Sequence, residues 1–269
     1  MTINIWLRDA AEQLAMVGIP SALLDAEIIL AHTLKKSRTY LHAHGDEVIP
    51  LRLEEIANAR IDLRLDRTPV AYIVGHKEFY GRLFKVTPSV LIPRPESETM
   101  IELLNKYLTP GEKRLVDIGT GSGCLGITAK LEHPEISVIL SDVDQKVLSV
   151  ARENSERLGA DVRVVQSDLF SVLPGRFDFV LANLPYVDRN WDRSPETNAE
   201  PELALFADDG GLKIIKRLIA ELPAKLSDKG IALIEADPEQ HRAIRESAEE
   251  VGLAHKESTD YTVVLQKAS

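Results

Sequence analysis

The sequence contains a single cysteine, Cys124, among its 269 residues. One thiol allows no disulfide within the chain and no metal site built from several cysteines. The seven histidines offer no alternative, because none has the paired spacing with a carboxylate or cysteine that metal sites use. We therefore expect no metal, and the scarcity of cysteine fits a reducing compartment such as the cytoplasm.

Basic residues are outnumbered, with 32 lysines and arginines against 42 aspartates and glutamates, for a formal net charge of -10. A protein that binds nucleic acid mainly through phosphate neutralisation normally carries an excess of basic residues. The composition therefore argues against direct nucleic-acid binding.

Long apolar runs are also missing, since no stretch approaches the roughly 20 residues that a membrane-spanning helix needs. The first residues include Asp9 and Glu12 and lack the basic-then-apolar order of a secretion signal. We expect no membrane partner and a cytoplasmic location.

The first part of the chain has apolar residues at helical spacing. The pattern predicts amphipathic helices over residues 3–15, 21–34 and 51–65, separated by turn and capping signals such as Gly18 and Ser21. Residues 1–70 are therefore predicted to form a small helical domain. No residue in it suggests catalysis, so its expected role is substrate docking.

Residues 71–95 change in character, with more β-branched and aromatic residues and turn signals at Gly75 and Gly81. This pattern favours a hairpin or an extended linker. Pro93 and Pro95 end it, because proline disfavours helix at its own position and at the preceding one.

Residues 96–269 alternate strand and helix patterns, which indicates an α/β fold with a largely parallel sheet covered on both faces. One or two edge strands are expected over residues 254–267, and a mobile loop beside the ligand over residues 188–201. The strands are predicted at 114–118, 137–140, 162–165, 177–182 and 231–235, and the helices at 125–131, 145–158, 211–222 and 238–251.

A glycine-rich segment follows the first strand of this sheet and opens a helix. Its glycines let backbone N–H groups approach a ligand closely, and its aspartate is placed to accept from a positively charged amine. Gly121, Gly123 and Gly126 also match the dinucleotide pattern G-x-G-x-x-G, which is weak when it stands alone. The segment reads Asp117-Ile118-Gly119-Thr120-Gly121-Ser122-Gly123.

Two further acidic residues follow the next strands. Asp142, about twenty residues beyond the glycines, is placed to bind the ribose hydroxyls of an adenosine, whereas Asp144 is better explained as a helix N-cap. Asp168 is placed to accept from an adenine amino group, with Leu169 or Phe170 against the ring. These residues indicate nucleoside binding and leave open whether the nucleoside carries nicotinamide or a methylsulfonium.

A second motif, Asn183-Leu184-Pro185-Tyr186, ends the buried strand over residues 177–182. Its amide oxygen and a backbone carbonyl can both accept hydrogen bonds from one –NH₂ group, while the tyrosine ring lies on the planar face. Two such acceptors would localise charge on a weakly nucleophilic nitrogen and set its line of attack on a methylsulfonium. We call residues 183–186 the amide-binding motif.

Taken together, these motifs resemble the HemK/PrmC family of protein-(glutamine-N5) methyltransferases, and the resemblance runs nearly end to end. The most specific segment is Leu91-Ile92-Pro93-Arg94-Pro95-Glu96-Ser97-Glu98, because the Asn-x-Pro-Tyr pattern alone is shared with adenine methyltransferases. The other matching segments are residues 71–75 with Phe79, 117–123, 166–168, 183–186, 200–201 and 207–211.

The resemblance implies a class I S-adenosylmethionine-dependent methyltransferase, Rossmann-like with a mostly parallel seven-stranded sheet and a small N-terminal helical domain. It implies a monomer that modifies the glutamine of the Gly-Gly-Gln motif in peptide chain release factors. The implied S-adenosylmethionine contacts are Asp117, Gly119, Thr120, Gly121, Ser122, Gly123, Asp142, Asp168, Leu169 and Asn183. The implied catalytic and glutamine-binding residues are Asn183, Leu184, Pro185 and Tyr186, with Arg94 also on the substrate side.

Two positions depart from the family pattern. Leu184 stands where the family usually has proline, so the backbone at the expected acceptor carbonyl is less constrained. Leu169 stands where relatives often carry tryptophan, which weakens the expected stacking on adenine or passes it to Phe170.

Other functions use some of the same residues. A glutamine of a ribosomal protein is the nearest alternative substrate, and an exocyclic amine in RNA or DNA would need a basic surface that the sequence lacks. A nicotinamide-dependent oxidoreductase would use the glycines and Asp142 but leave Asn183 and Tyr186 without a role. A non-catalytic cofactor-binding scaffold would require Leu184 to have disabled the site.

Overall fold

The computed structural model describes residues 1–267 and divides them into two compact units. The first contains Met1–His76 together with Ser194–Ala199. The second contains Lys77–Arg193 and the described residues from Glu200 onward. None of the helices in the described residues combines the length and apolar character that a membrane-spanning helix requires.

The first unit is helical and has its own core, which includes Trp6, Leu14, Ile29 and Leu30. The three predicted helices are confirmed, but the short α3 was not predicted. The extended connector predicted beyond residue 70 is wrong in its first part, because residues 70–74 are helical. The helices are α1 (Ile3–Met16), α2 (Ala22–Leu34), α3 (Arg38–Ala43), α4 (Leu51–Leu65) and α5 (Val70–Val74).

A buried ion-pair network ties the Ser194–Ala199 segment into this unit. The Arg64 guanidinium donates from Nε to Asp25 at 2.7 Å and from Nη2 to Glu196 at 2.9 Å. Glu196 belongs to the 3₁₀ helix Pro195–Ala199, the one helical turn within residues 188–201. The irregularity expected for this stretch is confirmed, whereas its mobility stays a prediction.

The second unit begins with a hairpin and continues as an α/β sheet. Its helices are α6 (Glu98–Tyr107), α7 (Cys124–Glu132), α8 (Gln145–Leu158), α9 (Glu202–Leu205), α10 (Lys213–Lys225) and α11 (His241–Glu250). Its strands are β1 (His76–Phe79) and β2 (Arg82–Lys85) in the hairpin, then β3 (Arg114–Ile118), β4 (Ser137–Asp142), β5 (Arg163–Gln166), β6 (Phe177–Ala182), β7 (Leu226–Glu235), β8 (Leu253–Ser258) and β9 (Thr262–Lys267).

The seven strands of the main sheet have the order β5-β4-β3-β6-β7-β9-β8. Strands β3 to β7 are parallel, and β9 runs antiparallel to both β7 and β8. Residues 254–267 were expected as edge strands, which is correct for β8 and wrong for β9. The buried run Val263, Val264 and Leu265 explains the difference, since consecutive apolar residues are typical of an interior strand.

Alternate residues of the central strands face opposite sides of the sheet and enter two separate cores. Val116 and Val180 pack with α10 and α11, whereas Leu115 and Phe179 pack with α6 and α7. The sheet is therefore covered on both sides, which leaves the ends of its strands as the place for a binding site. The predicted mostly parallel, seven-stranded class I methyltransferase fold is confirmed.

Candidate functional site

The strand register brings the candidate residues to one edge of the sheet. Ile118 pairs with Ser141 on one side and Ala182 on the other, and Ala182 pairs with Ile234. The next residues along the four strands are therefore neighbours at the carboxyl edge. These residues are Gly119, Asp142, Asn183 and Glu235.

A cavity of about 620 Å³ opens at this edge within the second unit. Its size and concave shape suit a cofactor with part of a second ligand. The sequence-predicted residues that line it are Arg94, Gly119, Thr120, Gly121, Ser122, Asp142, Asp168, Leu169, Asn183, Leu184 and Pro185. The predicted residues outside this lining are Asp117, Gly123 and Tyr186.

The glycine loop turns sharply as it leaves β3. The N–H groups of Gly119 and Thr120 both donate to the Ser141 carbonyl, at 2.8 and 2.9 Å. Gly119 has φ +70°, and a Cβ there would lie 2.8 Å from Cδ2 of Leu184. The glycine therefore permits both a left-handed turn and direct contact with the amide-binding motif.

Asp117 lies behind the cavity wall. Its Oδ2 accepts from the Thr120 hydroxyl at 2.6 Å and from the Gly126 N–H at 2.9 Å, while its Oδ1 is buried without a partner among the described residues. Burial raises the pKa of Asp117 to about 6, despite the opposing effect of these hydrogen bonds. In this geometry the carboxyl group holds the glycine loop in shape.

Asp142 lies on the cavity wall at the end of β4. Its carboxyl oxygens accept from the N–H groups of Gly121 at 3.3 Å and Asp144 at 3.1 Å. Burial raises the pKa of Asp142, which its backbone hydrogen bonds partly oppose. The remaining lone pairs can accept hydrogen bonds from vicinal hydroxyls. Asp144 caps α8 as predicted, accepting from the Lys146 N–H at 2.7 Å.

The segment after β5 contains Leu169 and Phe170, the two residues predicted to pack against an adenine ring, and the structure places them differently. Leu169 lines the cavity and has φ +44°, an uncommon conformation for a residue other than glycine. Phe170 instead lies in the core, with its ring centroid 6.1 Å from that of Phe177. Asp168 is half-exposed and pairs with Arg217 at 2.9 Å.

The amide-binding motif has its polar and apolar groups on different sides. Asn183 Nδ2 donates to the Ser97 hydroxyl at 3.2 Å, so the amide nitrogen has a partner and Oδ1 is the acceptor that remains. The Leu184 side chain is buried in the core beside Gly119. The Tyr186 hydroxyl donates to Glu235 Oε1 at 3.4 Å, away from the cavity lining.

Arg94 reaches the cavity as part of a second buried ion pair. Its guanidinium donates to Glu200, whose other carboxyl oxygen accepts from the Ile92 N–H at 3.2 Å. Glu200 is almost fully buried, whereas Arg94 is partly exposed. The pair fixes the proline-rich segment before α6 and presents a cation at the cavity.

Three residues near the motif were not predicted as site residues from the sequence. Ser97 and Glu235 lie next to Asn183, and Gln240 Nε2 donates to the carbonyls of both Tyr186 and Gly210 at 2.7 Å. Glu235 ends a predicted strand, which was the one signal available for it, because ligands bind at the carboxyl ends of such strands.

Family models match two parts of the chain. The model described as "PrmC N-terminal domain" matches residues 6–75, and the one described as "Methyltransferase small domain" matches residues 95–198.

Solved structures share the fold of most of this chain at low sequence identity. A methyltransferase from Pyrococcus furiosus has a TM-score of 0.55 at 20% identity, covering 79% of this chain and 98% of that one. A T. thermophilus 16S rRNA N2 G1207 methyltransferase in complex with AdoMet and guanosine has a TM-score of 0.55 at 18% identity, covering 72% of this chain and 50% of that one.

Curated relatives are more similar and match most of both chains. A release factor glutamine methyltransferase from Deinococcus radiodurans is 35% identical over 242 residues, which is 88% of this chain and 87% of that protein. The protein of the same name from Koribacter versatilis is 37% identical over 250 residues, or 88% and 89%. At this identity and coverage, the chain belongs to the release factor glutamine methyltransferase family.

Proposed function

We propose that this protein transfers a methyl group from S-adenosylmethionine to the side-chain amide nitrogen of the glutamine in the Gly-Gly-Gln motif of peptide chain release factors. The observation that carries the proposal is the orientation of Asn183. With its Nδ2 bonded to Ser97, its Oδ1 is the group available to accept from a substrate –NH₂. Family membership supports the choice of substrate.

The cavity residues fit S-adenosylmethionine. A Cβ at Gly121 would meet nothing within 4 Å, so the loop leaves open space for a ligand against its backbone. Asp142 would hold the ribose hydroxyls, Leu169 would pack on the adenine, and Asp168 would accept from the adenine amine. When bound, S-adenosylmethionine supplies a methyl group on a positively charged sulfur.

Asn183 and Leu184 would orient the substrate amide. The Asn183 Oδ1 accepts one N–H hydrogen and the Leu184 carbonyl accepts the other, which directs the nitrogen lone pair toward the methyl group. Electron density rises on nitrogen as these acceptors engage, so no strong base has to remove a proton first. The nitrogen would gain an N–C bond as the bond between the methyl group and sulfur breaks, the sulfur would leave as a neutral thioether, and the nitrogen would release one proton to solvent.

Leu184 would hold its carbonyl by burial. Its side chain is 4% exposed and packs in the core beside the glycine loop. The family pattern that this motif resembles has a proline ring to restrict this position, whereas here the apolar contact with Gly119 would do so. We therefore propose that the departure at Leu184 leaves the enzyme active.

The alternatives differ in their substrates. A glutamine of a ribosomal protein would use the same acceptors, and an exocyclic amine of RNA or DNA would require a basic surface that a formal charge of -10 disfavours. We propose that the enzyme acts as a monomer in the cytoplasm, without direct nucleic-acid binding.

Methyl transfer from labelled S-adenosylmethionine to purified release factor tests the proposal. We expect label in the wild-type factor and none in a factor whose Gly-Gly-Gln glutamine is replaced by alanine. Ribosomal protein and RNA are tested as alternative substrates in parallel reactions. Label in either of these, with none in the release factor, would contradict the proposed substrate.

A further inference from the structure

Glu235 is a buried carboxyl group beside the amide-binding motif with no role in the mechanism above. It ends β7, one residue beyond the pair Ala182–Ile234, which makes it the neighbour of Asn183 across the two strands. It is 1% exposed, and no ion pair reaches it from the described residues. A carboxyl group buried without a counter-charge is costly, so it calls for an explanation.

The polar groups around Glu235 form a chain that ends at Asn183. Tyr186 donates its hydroxyl to Glu235 Oε1 at 3.4 Å. Ser97 accepts from Asn183 Nδ2 at 3.2 Å, which leaves the serine hydroxyl hydrogen to point elsewhere. Glu235 Oε2 is buried without a hydrogen-bond partner among the described residues, and the Ser97 hydroxyl and the Asn183 amide are nearby donors that lower the pKa of this carboxyl group. A carboxylate can only accept, so it fixes the direction of every hydrogen bond in this chain.

We propose that Glu235 is a positioning residue whose buried carboxylate, next to both the Asn183 amide and the Ser97 hydroxyl, holds the Asn183 side chain with Nδ2 inward and Oδ1 toward the substrate amide. This inference rests on the proposed function, because it assigns Asn183 Oδ1 as the substrate acceptor. A protonated Glu235 would be able to donate to Ser97. The serine hydroxyl would then donate to the Asn183 Oδ1, and the inverted amide orientation would become the favoured one.

The surroundings of Glu235 permit this change of protonation near neutral pH. Burial raises the pKa of Glu235 to about 7, while the donors Ser97, Tyr186 and Asn183 act in the opposite direction. Glu96, before α6, raises the pKa further by charge repulsion.

The other elements packed against this region contribute further titratable and charged groups. Cys124, at the start of α7, interacts electrostatically with both Glu235 and Asp117. The charge of Arg94 lowers the pKa of Tyr186, whereas Tyr261 raises it.

The test compares Glu235→Gln with wild type in methyl transfer to release factor between about pH 6 and pH 8. Glutamine has the shape of the protonated acid and does not titrate in this range. We expect wild-type kcat to rise about tenfold with pH, and the variant to remain flat at or below the wild-type value at the acidic end, since a misplaced catalytic group can cost up to about 100-fold.

Two further variants separate positioning from a structural role. Ser97→Ala removes the hydroxyl that accepts from Asn183 Nδ2 and is expected to lower kcat at every pH, with unchanged binding of S-adenosylmethionine. Glu250→Gln, at an exposed glutamate on α11, is the matched control and is expected to behave as wild type. A Glu235→Gln enzyme with wild-type kcat and pH profile, or one that cannot bind S-adenosylmethionine, would overturn the proposal.

A measurement without substrate keeps this inference apart from the proposed function. The side-chain N–H resonances of Asn183, assigned by their loss in Asn183→Ala, should shift with pH around a midpoint near the pKa of Glu235 in wild type. They should remain constant in Glu235→Gln. If wild type methylates no release factor but shows this titration, the proposed substrate fails and the positioning role stands; resonances that ignore Glu235 refute the role directly.

Discussion

Leu184 stands where the family pattern has proline, and these two residues order the backbone by different means. Proline restricts a backbone through its ring, whereas leucine has no such ring and must gain its order from packing. The Leu184 side chain gains that order in a core shared with Val180 and Ile215. The motif therefore depends on the core of the sheet more directly than the sequence pattern indicates.

Replacing Leu184 by alanine should weaken both the fold and the reaction. The change empties space beside Gly119, and Leu-to-Ala changes in cores cost about 2–5 kcal/mol. We expect a lower denaturation midpoint and reduced methyl transfer in Leu184→Ala. Leu83→Ala, at an exposed leucine of β2, is the control and should leave the midpoint near that of wild type. Equal midpoints in the two variants would show that Leu184 is not a packing residue.

Replacing Asn183 by alanine should remove the reaction but keep cofactor affinity. The loss of a preorganised hydrogen-bonding group at a reacting centre typically lowers kcat by about 100- to 1,000-fold. Calorimetric titration with S-adenosylmethionine should give a Kd close to that of wild type. Asn105→Ala, at an exposed asparagine on α6, should retain full activity. Turnover that survives in Asn183→Ala would refute the assigned role.

At this scale, the residues predicted from the sequence are those that carry a recognisable motif. Gly119, Asp142 and Asn183 each follow a strand and have side chains suited to a nucleoside or an amide. Gln240 belongs to no such pattern in the sequence, and Ser97 lies within the specific segment of residues 91–98 but was not assigned a role there. They could not be predicted, because their importance comes from contacts with Asn183 and Tyr186 that only the folded chain creates.

Among the elements, the turn before α10 holds the far end of the amide-binding motif. Gly211 has φ +82°, and a Cβ there would lie 1.8 Å from the Tyr186 carbonyl oxygen. The same oxygen accepts from Gln240, which also binds the Gly210 carbonyl. The backbone at Tyr186 is therefore enclosed by two elements that are distant in sequence.

Gly211→Ala should disrupt this arrangement. The added methyl group would force the Tyr186 carbonyl to move, so we expect a strong loss of methyl transfer and a lower melting temperature. Gly252→Ala provides a matched control, because Gly252 has φ +77° with nothing within 4 Å of an added Cβ. Its destabilisation should reflect the backbone strain alone, about 1 kcal/mol. Similar activities in both variants would contradict the proposed contact.

The hydrophobic pattern predicted helices and strands correctly where it marks one side of the element as buried. Strands β3 and β6 and helices α4 and α8 have the predicted bounds. Helix α10 was displaced from 211–222 to Lys213–Lys225, since Gly211 adopts a positive φ and Pro223 is accommodated in the last turn. Such boundaries depend on turn conformation, which a hydrophobic pattern does not contain.

Across the molecule, acidic and basic groups in buried or partly buried positions determine how the free energy of unfolding varies with pH. Burial raises the pKa of Asp117 and Glu235, so the stability they contribute is complete below their unfolded pKa values and is lost as pH rises through about 6 and about 7. Burial lowers the pKa of His32 and His241, so their contribution is present above about 6.5 and is lost as pH falls.

Glu235→Gln should isolate the contribution of Glu235 to this pH dependence. The variant minus wild-type difference in melting temperature should become more positive as pH rises from about 5 to about 8, because the wild type must ionise the buried Glu235 carboxyl in addition to Asp117, which titrates in both proteins. Each tenfold change in the ionisation constant corresponds to about 1.4 kcal/mol. The histidine effects are present in both proteins and cancel in the difference. A difference that does not change with pH would show that Glu235 does not titrate in this range.

The fold as a whole was predictable because the alternation of strands and helices restricts the topology strongly. The order of the strands in the sheet was not predictable, because the position of β9 inside the sheet follows from pairing between distant segments. Placing Glu235 beside Asn183 likewise requires the register of β6 and β7.

The position of β3 between β4 and β6 has an evolutionary consequence. The groups proposed to bind the nucleoside come from chain before residue 170, whereas Asn183, Glu235 and Gln240 come from chain after residue 182. Apart from Arg94 and Ser97, the residues of the two sets lie in separate stretches of the sequence. The two stretches meet where β3 pairs with β6. Selection can therefore alter the methyl acceptor by changing the later stretch while the earlier one continues to bind the same donor.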